Sequence, residues 1–119
     1  MEKPFVYYIL HNSHTDIGYT DYQEKIESYH VEYIKEAIDI LRAAEAGKNQ
    51  WQGFKWNCES YWCVECFLKS ADDSYRADFI RYVQRGDIGL SGSYLNFNDL
   101  IDNDTLKEMM ARNRKEMAT

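Results

Sequence analysis

The sequence predicts an α/β chain built on a parallel sheet, and three observations lead to that class. Short apolar stretches alternate with longer amphipathic ones in the order strand, helix, strand, helices, strand, helix. The first stretch, FVYYIL at residues 5–10, is apolar on both faces, as a strand covered by helices on both sides would be. A polar cluster follows each strand-like stretch, and right-handed crossovers would bring those clusters to one edge of the sheet.

Residues 5–10 form the first expected strand, and residues 11–20, HNSHTDIGYT, form its exit loop. Asp21 is placed to cap the next helix, with Glu24 three residues on completing a capping box. Ile26, Tyr29, Tyr33, Ile34, Ala37, Ile38, Leu41 and Ala44 then recur at helical spacing, and Gly47 suits a left-handed ending. His30 falls on or beside that stripe and reads as a packed helix histidine. A polar turn at 48–53 leads to a second strand at 54–58, with Glu59 at its end. Residues 61–68 are aromatic and apolar almost throughout, consistent with a short buried helix. Asp72 or Asp73 can cap another helix carrying Tyr75, Phe79, Ile80 and Val83, closed by Gly86. Residues 87–90 make a weaker third strand, because two glycines interrupt or follow it, and run into the loop 91–99. Asp104 is expected to cap a last helix with Leu106, Met109, Met110 and Met117.

At 119 residues the chain is expected to be one domain with a modest core. Its net charge of −6 argues against nucleic acid as a partner, since the excess of cations that phosphate binding needs is missing. No apolar run approaches the ~20 residues of a membrane span, and no basic segment followed by an apolar one opens the chain. A soluble, cytoplasmic protein with no membrane partner is the expectation. Three cysteines, Cys58, Cys63 and Cys66, suit a reducing compartment. Cys63 and Cys66 have the spacing of a redox or zinc pair, but they lie in the helix-like apolar segment, where buried free cysteine is common.

The chemistry concentrates at His14 and Asp16. Residues two apart in an extended chain project to the same side, so imidazole and carboxylate would face one point. Such a pair reads either as a hydrogen-bonded surface pair or as two ligands of zinc or a similar first-row cation, half of a tetrahedral set. Its place at a strand end, followed by Gly18 and Tyr19, is where parallel sheets present their sites. Glu59 and the loop containing Tyr94 are expected to converge there.

HNSHTDIGYT resembles the opening His-Ser-His-Asn-Asp-x-Gly-Trp of the α-mannosidases of glycoside hydrolase family 38, with His11, His14, Asp16, Gly18 and Tyr19 on matching places. WNCESYWCVECFLK is similar to the family's second block, an aromatic strand ending in Glu before an aromatic helix. RGDIGLSGSYLNFNDLI is similar to its third block, a glycine-rich strand end before a polar loop. The resemblance covers nearly the whole chain and implies an incomplete seven-stranded (β/α) barrel of the glycoside hydrolase/deacetylase type. It implies that His14 and Asp16 are zinc ligands and that Tyr19 replaces the family's sugar-stacking Trp. Glu59 and Tyr94 join Tyr19 as candidate contacts to a carbohydrate substrate, an α-mannoside or related glycan. In the family, zinc binds two vicinal hydroxyls of the mannose being cleaved.

The family's nucleophile block, Asp-x-x-Gly-His, and its later histidine ligand have no counterpart here. Asp99, Asp102 and Asp104 lie at a helix start, where capping explains them. A retaining glycosidase needs a nucleophile and a general acid, so no catalytic residue is assigned and the isolated chain is expected to be inactive. The expectation is the N-terminal part of a longer zinc-dependent α-mannosidase-like enzyme, able to form homo-oligomers through an exposed sheet edge. A carbohydrate deacetylase would need a His-x-x-x-His pair, which is absent. A non-catalytic α/β binding or assembly module is the alternative from another class.

Overall fold

Ile26, His30, Val31, Ile34, Ala37, Ile38 and Leu41 recur every three or four residues, and in the computed structural model they form the buried stripe of a long helix, α1 (Gln23–Glu45). Residues 4–96 and 101–116 are described. After a short 3₁₀ turn, Asn49–Trp51, come strand β1 (Trp56–Asn57), helix α2 (Tyr61–Ser70), helix α3 (Asp73–Arg85), strand β2 (Ile88–Gly89) and helix α4 (Asn103–Glu116). Asp99 and Met117, named above in the loop and the last helix, lie outside the described residues.

The core is made mainly by helices packing on one another. Phe67 of α2 and Phe79 of α3 meet with ring centroids 5.0 Å apart, both buried beneath the α1 stripe with Val64, Tyr82 and Ile88. Polar side chains clasp α1 to α3 at the rim of that core. Arg42 Nε donates to Asp78 Oδ2 at 2.6 Å, and the Tyr75 hydroxyl donates to Asp39 Oδ2 at 2.9 Å. The buried Tyr82 ring keeps its hydroxyl satisfied by donating to Glu45 Oε2 at 2.9 Å.

The expected barrel-type sheet is corrected by this architecture. Among the described residues, helices of 23, 10, 13 and 14 residues accompany only a two-stranded parallel sheet, with Trp56 opposite Ile88 and Asn57 opposite Gly89, so the chain is not a seven-stranded barrel. Residues 5–10, expected as the first strand, are irregular, and their large side chains are 66–92% exposed. A strand apolar on both faces is stable only between two covering layers, and among the described residues no layer covers this one. A single link remains where that segment ends. Asn57 N donates to His11 O at 2.8 Å, on the edge of β1 opposite β2.

Helix ends also differ from expectation at two places. Tyr22, not Asp21, precedes the first turn of α1, and Asp21 instead accepts from the Tyr22 amide at 2.8 Å and from Lys25 Nζ at 3.2 Å. Asp102, not Asp104, caps α4, accepting from the amides of Asp104 and Thr105 at 3.0 and 2.9 Å. Its carboxylate sits one residue before the helix, where the free amides point. Asp72 caps α3 through the Tyr75 amide, and Gly86 ends that helix at φ 78°. The cysteines are all buried and unpaired.

The loop after β2 fixes the start of α2, and this matters for the site. The Tyr61 and Trp62 amides donate to the carbonyls of Ser93 and Tyr94 at 2.9 and 3.0 Å. Backbone carbonyls thus satisfy helix-start amides that side chains do not. Glu59, just before α2, is thereby held beside residues 93–96.

Candidate functional site

His14 reaches out of the irregular segment that follows His11, toward the junction of β1 and α2. Its Nδ1 is hydrogen-bonded to Glu59 Oε1, and its Nε2 lies 3.4 Å from Asp16 Oδ1. His14 and Asp16 side chains are 66% and 63% exposed, whereas Glu59 is only 10% exposed. Glu59 is held from two further directions. Asn96 Nδ2 donates to Oε1 at 2.8 Å, and the Thr15 amide approaches Oε2 at 3.4 Å.

These groups surround a cavity of about 280 Å³ whose walls include His30, Ile17 and Leu95 as well as His14, Asp16 and Glu59. His30 is buried, with Tyr33 and Trp62 meeting its ring edge-on at 6.0 and 5.7 Å. Burial pushes the His30 pKa down, which the Glu59 charge and the Thr15 backbone oppose and the His14 charge reinforces. The His14 pKa moves the other way. The hydrogen bond that Glu59 accepts raises it most, followed by the Glu59 charge, with Asp16 adding to both and desolvation opposing. The cavity therefore holds one histidine biased toward the cation and one biased toward the neutral ring.

Tyr19 stands apart from this cavity. Gly18 takes a left-handed φ of 79°, which a residue with a Cβ rarely adopts, and the turn throws Tyr19 outward to 94% exposure. With Asp21, Tyr22 and Gln23 it borders an adjacent open cleft of about 400 Å³. Tyr94 is placed elsewhere. It is buried, its hydroxyl donates to Glu65 Oε2 at 2.5 Å, and the Arg112 guanidinium covers its ring at 5.1 Å. The structure thus brings together His14, Asp16 and Glu59, leaves Tyr19 outside their cavity in a separate cleft, and uses Tyr94 to bind α4 to α2.

Asn96, Thr15 and His30 complete the cavity, and sequence patterns gave them no part in it. The polar loop 91–99 pointed toward Asn96 only as a region. Thr15 acts through its backbone, which leaves no trace in residue type. His30 was read from its helical spacing as a packed residue, and it is one, with an edge left facing the cavity.

The donor chemistry fits a small divalent cation. Two ligands each about 2.0–2.1 Å from a tetrahedral zinc stand roughly 3.3 Å apart, and the His14 Nε2 to Asp16 Oδ1 separation is 3.4 Å. Among the described residues no group of three or more His, Cys, Asp or Glu side chains is arranged to hold a metal. Two donors would be half of the four that a tetrahedral zinc takes. The chain matches no family profile, no curated protein and no solved structure.

Proposed function

We propose that this chain contributes two metal ligands and a sugar-facing aromatic to a zinc-dependent glycoside hydrolase of the α-mannosidase type. The observation that carries the reading is the 3.4 Å approach of His14 Nε2 and Asp16 Oδ1 at a cavity mouth. Support comes from the resemblance of residues 11–20 to the family 38 opening, in which the matching positions are ligands. A zinc ion there would act as template and Lewis acid toward vicinal hydroxyls of a mannoside.

The chain's own residues would do the rest of the binding. Tyr19 offers an apolar ring face to the sugar, smaller than the Trp it replaces. Leu95 and Ile17 limit water on the cavity wall. Neither nearby carboxylate is placed to act as nucleophile or general acid, because Asp16 and Glu59 are both engaged with His14. Retaining hydrolysis needs two carboxyl groups flanking the bond, one to attack and one to protonate. The chain is therefore a binding half-site, with the remaining ligands and both catalytic groups supplied by other polypeptide.

The test is sugar binding with and without metal. Saturation-transfer NMR of the zinc-loaded protein with methyl α-mannoside should show contact that chelation abolishes and that Tyr19→Ala weakens. No turnover of an aryl α-mannoside should accompany it. Binding indifferent to chelation, binding absent in the presence of zinc, or measurable hydrolysis would overturn the reading.

A further inference from the structure

We infer that Glu59 is a positioning residue that holds the neutral His14 ring in the Nδ1–H tautomer, so that loss of the second proton frees Nε2, the nitrogen beside Asp16, for a cation. The inference deepens the reading above and rests on it only for the identity of the ion. A carboxylate accepts hydrogen bonds and cannot donate them, so the His14 nitrogen bonded to Glu59 Oε1, Nδ1, carries the proton. In the neutral ring the other nitrogen is then a free lone pair. That nitrogen is Nε2, the one beside Asp16.

Glu59 is built for this task by its surroundings. It is nearly buried while the residues it serves are exposed, so its orientation is set by protein and not by solvent. Asn96 Nδ2 binds the same oxygen that takes the His14 proton, and the Thr15 amide approaches the other oxygen. The carboxylate thus grips the His14 ring with one oxygen and faces the backbone of the next residue with its other. Because the carbonyls of Ser93 and Tyr94 receive the first amides of α2, the segment carrying Asn96 is fixed to the helix that follows Glu59. The 11–20 segment meets the sheet at His11, through the Asn57 amide, and Glu59 constrains the side chain of His14 three residues beyond. A histidine ligand oriented by a carboxylate on its far nitrogen binds metal more tightly, and loss of such a partner typically costs 10–100-fold in affinity.

The experiment is long-range ¹⁵N–¹H NMR of histidine-labelled, metal-free protein in alkaline buffer, where the ring is neutral, followed by a zinc titration. The His14 signals should report the Nδ1–H tautomer in the wild type and in Glu59→Gln, whose side-chain oxygen still accepts. Glu59→Leu should revert to the Nε2–H form that free histidine favours and lose about 10–100-fold in zinc affinity, with Glu59→Gln between. An Nε2–H tautomer in the wild type, or tautomer and affinity unchanged in a folded Glu59→Leu, would overturn the assignment. The tautomer is read without metal, so a wild type that fixes Nδ1–H yet binds no zinc would sink the metal reading while leaving the role of Glu59 standing.

Discussion

Glu45 shows how a single exposed side chain ties three helical turns together. Its carboxylate accepts from Arg81 Nη1 and Arg85 Nη1, each at 2.5 Å, and from the buried Tyr82 hydroxyl. The Arg81 hydrogen bonds, then those of Arg85, hold its pKa down to about 2 from the ordinary 4.5. A depressed carboxyl pKa adds stability that is complete above the unfolded value and vanishes as pH falls through the folded one. Glu45→Gln should therefore lower stability at pH 7 by roughly 1 kcal/mol, the exposed position screening the pairs. The difference from wild type should shrink between pH 4.5 and about 2. Thermal melts across that range check it, and a pH-independent difference would contradict it. At the same scale, the proximity of His14 and Asp16 was legible from their spacing, because residues two apart in extended backbone project to one side. The burial of Tyr94 was not legible. Its fate depends on Glu65 and Arg112, 29 and 18 residues away, which no local pattern links to it.

Among the elements, helices were read from the sequence far better than strands. The α1 stripe, the Asp72 cap and the Gly86 ending are local events, decided within four residues. Asp72→Ala should cost about 1 kcal/mol by exposing the Tyr75 amide, seen as a lower denaturation midpoint with unchanged slope. A neutral effect would mean that the first turn of α3 draws no stability from its cap. The strands depend on partners distant in sequence, and here the same apolar pattern has different outcomes. The segments around Trp56 and Ile88 find each other and the helices. Residues 5–10 stay exposed, and the link from Asn57 reaches His11 just beyond them. Apolar periodicity reports what a strand would bury, not whether a cover exists.

For the whole molecule, the exposed 5–10 segment is the feature that governs association. Six consecutive exposed apolar residues form a surface that water disfavours and that a further strand could cover. Static light scattering should show mass rising with concentration, and Tyr7→Lys with Ile9→Lys should restore the monomer. A wild type that stays monomeric at high concentration would count against that. No helix among the described residues is long and apolar enough to cross a membrane. The two donors at the cavity are the feature on which the functional account stands, and equilibrium dialysis against zinc tests them most directly. One ion per chain, lost in both His14→Ala and Asp16→Ala while each variant keeps its helical circular dichroism, is the predicted result. A wild type that retains no zinc, or variants that bind it undiminished, would leave the two side chains as an ordinary hydrogen-bonded surface pair.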